Sequence, residues 1–203
     1  MDIPRRLREW YPNATYHLME RGIRRQKIFE DEMDYQVFKE IMRVAMDKYN
    51  CTIHAYCLMS NHFHILLETD DIEVSAFMKY LASSYAIYFN KKYRYSGHVF
   101  EGRYKSCLVK DDTYFLQTSR YIHLNPVKAR MVSTPEEYKW SSYRTMISLT
   151  DDQITYVGQT WNYFKDNPII RYREFIEDIG HRYTLHEDKI QKEIGENDLW
   201  LPW

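Results

Sequence analysis

The stretch Tyr56–Glu68 constrains the fold of this chain more than any other feature. A strand-like run leads into a tight turn at residues 59–61, and a second strand-like run follows, which predicts a β-hairpin. Because successive side chains of a strand point to opposite faces, His62 and His64 share one face of the second strand. Two neighbouring imidazoles on a rigid strand make a partial metal site, although a hairpin with two surface histidines gives the same pattern.

Hydrophobic periodicity along the rest of the chain predicts the order strand, helix, strand, strand, helix, strand, helix. The predicted strands are residues 14–20, 51–58, 62–68 and 99–109, and the predicted helices run from about 31 to 50, 69 to 92 and 111 to 130. This order is typical of a ferredoxin-like or RRM-like fold, an α+β arrangement with an antiparallel sheet and helices on one face. The other face would then be open to a ligand.

Residues after 147 do not continue this pattern. We therefore predict one domain over residues 1–147 and a C-terminal helical extension over 148–203. Within the extension, residues 171–180 have the periodicity of an amphipathic helix that ends at Gly180. The sequence of the extension does not indicate its role.

The charge is unevenly distributed. The formal net charge is only −1, but residues 91–130 carry nine Lys and Arg against three Asp and Glu. A basic segment inside a near-neutral protein is an electrostatic footprint for a polyanion, and a solvated surface strip is the alternative interpretation.

Cysteine usage and hydropathy indicate the compartment. The chain has three cysteines, an odd number without a spacing pattern, which favours reduced thiols over a disulfide framework. No apolar run resembles a signal peptide or is long enough to span a bilayer. We predict a cytoplasmic protein without membrane contact.

A second motif lies in the third predicted helix, some sixty residues after the histidines. Tyr121 and Asn125 are four residues apart and therefore share a helix face. An amide oxygen is a hard metal ligand, and a tyrosine hydroxyl is a candidate nucleophile. If this helix packs beside the strand with His62 and His64, a divalent metal held there could polarise a phosphodiester for attack.

Together these motifs carry a family resemblance. Asn-His-Phe-His after a strand, followed by Tyr-x-x-x-Asn-Pro-Val-Lys-Ala on a later helix, resembles the single-tyrosine HUH transposases of the insertion-sequence type. "HUH" denotes the His-hydrophobe-His triplet. The chain is most similar to the REP-associated tyrosine transposases, over roughly residues 10–145. Weaker marks of the same resemblance lie at residues 16–17, 21–22, 100–105 and 140–143.

The resemblance implies a metal-dependent single-stranded DNA endonuclease and strand transferase that acts on hairpin-bearing DNA through a 5′-phosphotyrosine intermediate. Tyr121 would be the nucleophile, and His62, His64 and Asn125 would hold Mg²⁺ or Mn²⁺. Residues 1–147 would be the catalytic domain. Mobile insertion-sequence members have Gln four residues after the tyrosine, whereas this chain has Asn125, as the REP-associated branch does. The shorter amide must approach the metal more closely or act through water.

Other residues are expected to have lesser roles. Tyr114 is the fallback nucleophile, and His123 is expected at the surface, off the face of Tyr121. His17 and His54 lie on predicted strands that could approach the site. The expected phosphate contacts are basic side chains: Arg103, Lys105, Arg21, Arg24, Arg25 and Lys128.

Two other functions fit the same residues. One is a DNA-hairpin-binding protein that keeps the fold without catalysis, and the other is a metal phosphoesterase with a water nucleophile. The expected partner is single-stranded DNA with hairpin or palindromic elements. A monomer is favoured over a homodimer.

Overall fold

The strands and helices follow the predicted order. A computed structural model describes residues 10–178 of the chain. In this range the strands are β1 Thr15–Arg21, β2 Cys51–Met59, β3 His62–Thr69 and β4 Lys105–Leu108. The helices are α1 Glu32–Tyr49, α2 Val74–Tyr93, α3 Asp112–Lys128, α4 Tyr143–Met146, α5 Gly158–Asn162 and α6 Pro168–Glu177, with short 3₁₀ turns at Ile23–Arg25 and Pro135–Glu137.

The four strands form one antiparallel sheet in the order β2-β3-β1-β4. β2 and β3 form the predicted hairpin, in which Met59 pairs with His62. In the next pair of strands, Met19 of β1 lies opposite His64. The predicted α+β class and its ferredoxin-like antiparallel sheet are confirmed.

Both faces of the sheet are covered. α1 and α2 pack on one face, where Phe38 and Leu81 join Ile65 and other apolar strand residues in the main core. α3 packs on the opposite face, which the sequence analysis left open for a ligand. The physical reason is that this second face is also apolar: Met19 and Leu66 are fully buried on it. The pattern of apolar residues identifies the helix but not the side of the sheet that it covers.

The tip of the hairpin is held by the chain that follows β1. The Ser60 carbonyl accepts the N–H groups of Ile28 and Phe29, and the Asn61 carbonyl accepts the N–H of Gly22. A Cβ at residue 22 would lie 2.2 Å from the Gln26 carbonyl oxygen, so only glycine fits this turn. Hydrogen bonds from outside the hairpin, in addition to those within it, therefore hold the segment that carries the predicted metal ligands.

Two predicted boundaries were wrong. β4 covers Lys105–Leu108 rather than 99–109, because the exposed residues 101–103 form a turn in which Gly102 has φ +77°. Arg103 therefore lies in this turn and not on a strand face with Lys105. α2 begins at Val74 rather than near residue 69, because Thr69 still pairs with Cys51 in the sheet.

The residues after α3 pack against its outer side. A chain of buried hydrogen bonds joins α6 to α3 and to the segment before α4. Ser119 Oγ contacts Tyr172 Oη at 2.6 Å, Tyr172 Oη contacts His123 Nδ1 at 2.7 Å, and His123 Nε2 contacts Ser142 Oγ at 2.8 Å. Arg120 donates to the carbonyls of Phe175 and Asp178. The expectation that His123 lies at the surface was wrong, since it is 1 % exposed.

The residues that pack on the outer side of α3 lie on both sides of the predicted domain boundary at residue 147. Leu124 of α3 shares an apolar cluster with Tyr143 and Ile176. Farther along, the Tyr56 hydroxyl donates to Asp152 at 2.8 Å. The division at 147 stays a prediction, and the predicted helix end at Gly180 lies outside the described residues. Within residues 10–178, no helix has both the length and the apolar composition needed to cross a bilayer.

The buried hydrogen-bond chain makes a stability prediction. Tyr172→Phe removes a hydroxyl that bridges Ser119 and His123 and leaves both buried groups with fewer partners. We expect the free energy of unfolding, measured by urea denaturation, to fall by about 1–3 kcal/mol. Tyr156→Phe is the control, because Tyr156 is 54 % exposed. Equal stability of the two variants would contradict the structural role of the network.

Candidate active site

β3 places the two histidines of the HUH motif beneath α3. His62 and His64 are 1 % and 0 % exposed, and their ring centroids are 5.1 Å apart at nearly a right angle. They share the face of the sheet that α3 covers, as their spacing of two residues predicts. The two imidazoles therefore point into a protein interior and not into solvent.

Asn61 determines which nitrogen of His62 carries the proton. Its Nδ2 donates to the Arg25 carbonyl at 3.2 Å, which orients the amide and leaves Oδ1 2.6 Å from His62 Nδ1. An amide oxygen only accepts, so His62 Nδ1 is the donor and Nε2 keeps its lone pair. The turn residue of the motif thus leaves His62 Nε2 with the lone pair that the predicted ligand role requires.

α3 brings Tyr121 and Asn125 to these histidines. Asp111 caps the helix by accepting the Tyr114 N–H at 2.7 Å, and the helix then crosses the sheet face. The Tyr121 ring lies edge-on to His64 with centroids 5.5 Å apart. One turn later, Asn125 Nδ2 is 3.3 Å from His64 Nε2. The structure therefore brings together His62, His64, Asn125 and Tyr121, all from one chain.

His17 of β1 also belongs to this cluster. Its Nε2 is 3.0 Å from His64 Nδ1, and its ring centroid is 5.9 Å from that of Tyr121. Its only signal in the sequence was weak, a histidine on a strand with alternating side chains. His54 does not join the cluster: its Nε2 contacts Glu68 at 2.9 Å, and its ring packs on Phe115.

Burial keeps the cluster neutral. Loss of solvation lowers the pKa of His17 and of His62 to about 3 and holds the pKa of His64 well below its usual value. For His62, the interaction with Asn125 acts in the opposite direction, and the positive charge of Arg21 adds to the lowering. Neutral imidazoles offer lone pairs at physiological pH, as metal ligation requires.

The donor set limits the kind of metal site. Residues 10–178 contain no cluster of three or more His, Cys, Asp or Glu side chains placed to hold a metal ion. Any site here depends on two imidazoles and the amide of Asn125, which can present its oxygen after rotation about its last torsion. Two nitrogen donors and one oxygen donor fit a divalent ion whose remaining positions are filled by water or substrate oxygens.

The predicted DNA-contacting residues lie in different surroundings. Lys128 is exposed, and its Nζ lies 5.2 Å from the centroid of the Tyr121 ring. Lys105 pairs with Met19 in the row of the sheet that contains His64. Arg21 is 9 % exposed and ion-paired with Glu101 at 2.7 Å.

Arg24 and Arg25 follow at the same end of β1. Both are exposed and have positive φ, 53° and 60°, in the 3₁₀ turn after the strand. Arg103 is exposed in the turn after Glu101, the residue that pairs with Arg21. Three exposed arginines therefore lie in the turns next to the end of β1, where Arg21 pairs with His62.

Comparison with known proteins identifies the family of this chain. A family model described as "Transposase IS200 like" matches residues 11–125, a range that contains the His-Phe-His triplet, Tyr121 and Asn125. The chain belongs to the IS200-like transposase family. The resemblance drawn from the sequence is thereby confirmed, and membership makes this chain a DNA-processing enzyme of the transposase type.

A solved structure supports the fold of this transposase-family protein. A REP-associated tyrosine transposase bound to a REP hairpin superposes with a TM-score of 0.63 at 15% identity, covering 74% of this chain and 90% of that one. A putative transposase from Deinococcus radiodurans R1 is 21% identical, with a TM-score of 0.42 over 54% of this chain and 88% of that one. No curated protein sequence gives a match.

The buried imidazoles make the metal-free protein sensitive to acid. Below about pH 6.5 the unfolded chain protonates histidines that the folded chain keeps neutral, so lower pH favours the unfolded state. We expect the free energy of unfolding in chelator to fall between pH 7 and pH 5. Each imidazole with a pKa of about 3, such as those of His17, His62 and His123, contributes at most about 1.4 kcal/mol per pH unit below 6.5.

Urea titrations at several pH values measure this dependence. His123→Gln should flatten it, because the amide keeps a neutral donor and acceptor but takes up no proton in the unfolded chain. His98→Gln is the matched control, since the exposed imidazole of His98 loses little solvation on folding. An equal free energy of unfolding at pH 5 and pH 7 would contradict the prediction.

Proposed function

We propose that this transposase-family protein is a metal-dependent single-stranded DNA endonuclease and strand transferase with Tyr121 as its nucleophile. The observation that carries the proposal is the contact of the Tyr121 ring with His64 and His17, next to Asn125, inside a single chain. Of the 19 tyrosines, Tyr121 is the one that the HUH motif and the helix motif jointly indicate.

Each residue of the cluster has a distinct task. His62 and His64 would hold Mg²⁺ or Mn²⁺ through Nε2, and Asn125 would supply an oxygen. When bound, the metal ion supplies Lewis-acid polarisation of a phosphate oxygen and offsets the negative charge that develops during displacement. Tyr121, fixed on a helix packed on both sides, holds its hydroxyl for in-line attack.

The proposed covalent step is a transesterification. The Tyr121 oxygen forms a bond to phosphorus and loses its proton, while the bond from phosphorus to the 3′ oxygen breaks. The departing strand takes up a proton as a free 3′-hydroxyl, and the other strand stays attached as a 5′-phosphotyrosine. Attack by a 3′-hydroxyl on this linkage reverses the step and joins strands, so the same site cleaves and transfers.

The basic residues would guide the DNA to the cluster. Lys128 lies beside Tyr121 and would contact the phosphate next to the scissile bond. From there, the DNA backbone would run past the basic side chains of Arg24, Arg25, Arg103 and Lys105. Arg21 would lie farther from the DNA than these four. The relative that shares the fold is bound to a REP hairpin, and we propose that single-stranded DNA with a hairpin is the substrate here too.

We further propose that Tyr121 acts in cis and that the protein works as a monomer. α3 is joined to its own sheet through Asn125 and to its own C-terminal segment through Arg120 and His123. Exchange of α3 with a second chain would require both sets of buried contacts to open. The proposed location is the cytoplasm.

The test is a search for a covalent adduct. The full-length protein is incubated with Mn²⁺ and labelled single-stranded DNA that carries the hairpins flanking its own gene, and the products are separated on a denaturing gel. We expect an adduct that disappears with chelator and in Tyr121→Phe, while hairpin binding persists. Tyr114→Phe, a buried tyrosine on the same helix, is the matched control and should keep the adduct.

Other outcomes would favour the alternatives. Metal-dependent cleavage that survives Tyr121→Phe would show a water nucleophile and a phosphoesterase. Hairpin binding by the unaltered protein without any adduct would show a non-catalytic binder.

A second prediction concerns Lys128. If its ammonium contacts phosphate, Lys128→Ala should weaken hairpin binding and reduce the slope of log K against log salt by about 0.7–0.9. Lys79→Ala is the control, because Lys79 is exposed on α2, across the sheet from the cluster. Fluorescence anisotropy at several salt concentrations measures both slopes, and equal slopes for the two variants would exclude the contact.

A further inference from the structure

His17 is a polar side chain in a place where packing alone would favour an apolar one. It is 0 % exposed, and its Nδ1 has no hydrogen-bond partner among the described residues. A buried donor or acceptor without a partner costs roughly 1–3 kcal/mol. A leucine at this position would avoid that cost, so the imidazole has a use that packing does not explain.

The hydrogen bond between His17 and His64 suggests a role for the His17 imidazole. Its Nε2 lies 3.0 Å from His64 Nδ1, so one of the two nitrogens carries the proton that joins them. If His17 donated, the neutral His64 would carry its own proton on Nε2 and could not bind a metal there. If His64 donates, Nε2 keeps its lone pair on the side of Asn125.

Metal binding through Nε2 requires the second arrangement, and the contact with Asn125 is compatible with it. The Nδ2 of Asn125 faces His64 Nε2 at 3.3 Å, which is a hydrogen bond if Nε2 accepts. The three residues then form one consistent chain, in which Asn125 donates to His64 and His64 donates to His17. In this arrangement the buried Nδ1 of His17 carries a proton.

The neighbouring histidine is supported in the same way. Asn61 Oδ1 accepts the Nδ1 proton of His62 at 2.6 Å and leaves Nε2 as its ligand nitrogen. In the arrangement described above, His17 would do for His64 what Asn61 does for His62. The two supports come from different places in the chain, one from the hairpin turn and the other from the adjacent strand β1.

We propose that His17 is a positioning residue that accepts the Nδ1 proton of His64 and thereby presents His64 Nε2 as a metal ligand. This inference rests on the proposed metal site and adds a residue to it. Loss of such a support weakens metal binding by 10–100-fold in comparable sites. His17 would also hold the orientation of the His64 ring, since the hydrogen bond fixes its rotation.

The test measures metal affinity without DNA. Mn²⁺ is titrated into the full-length protein, and the free ion is followed by electron paramagnetic resonance. We expect His17→Phe, which keeps a flat ring but has no acceptor, to bind Mn²⁺ about 10–100-fold more weakly. His17→Gln can place an amide oxygen near the position of Nε2 and should recover most of the affinity.

His54→Phe is the matched control. His54 is also a buried strand histidine on the face that α3 covers, but it contacts Glu68 and not the cluster. It should leave the Mn²⁺ affinity unchanged. Hairpin binding in chelator reports that each variant is folded.

A measurement on the unaltered protein covers the case in which His17→Phe fails to fold. Long-range ¹H–¹⁵N correlation spectra of the imidazole rings show which nitrogen of His64 is protonated. Protonated Nδ1 supports the proposal, and protonated Nε2 in the metal-free protein overturns it.

The outcomes separate this inference from the proposed function. If the unaltered protein binds Mn²⁺ and His17→Phe binds it equally well, the role of His17 is refuted while the metal site stands. If the unaltered protein binds no Mn²⁺, the metal site itself is refuted and the role of His17 with it.

Discussion

Burial of three imidazoles beneath one helix is the constraint on which the site depends. Solvent would protonate these rings near neutral pH and leave them without a fixed orientation. Beneath α3 they stay neutral, and each is held through a ring nitrogen: His62 by Asn61, and His64 and His17 by each other. Desolvation, which destabilises the folded chain in acid, thus also keeps the imidazoles neutral, as the proposed role of metal ligand requires.

α3 is held on two sides, and this explains why it is buried almost throughout. Its inner side carries Tyr121 and Asn125 to the histidines, while Arg120 and His123, on its outer side, bind the C-terminal segment. A helix fixed on one side alone could turn about its axis and misplace both functional side chains. The residues after 140 therefore act as a second support for the helix that carries the proposed nucleophile.

Local periodicity predicted much of the fold and of the site. Alternation in β3 placed His62 and His64 on one face, and the spacing of four residues placed Tyr121 with Asn125. Local periodicity carries no information about contacts between segments that are distant in the sequence. The choice of sheet face for α3 depends on whether that face is apolar on several strands at once, as with Met19 and Leu66.

The same limit explains the residues that sequence reasoning placed incorrectly or noted only weakly. His123 was expected in solvent because its partner, Tyr172, lies 49 positions later on a helix whose docking no local pattern reveals. His17 reaches His64 across a strand pair whose register is visible only in the sheet. The turn at Gly102 delays the start of β4 to Lys105 and leaves Arg103 outside the strand.

Our central proposal is that a single chain holds a metal site of two imidazoles and one amide against Tyr121. The most direct measurement is a crystal structure of the protein with Mn²⁺, with the ion located by its anomalous scattering. We expect one strong peak within bonding distance of His62 Nε2, His64 Nε2 and the Asn125 side chain of the same chain. A peak bound elsewhere, coordination through Nδ1, or a site completed by α3 of a second chain would contradict it.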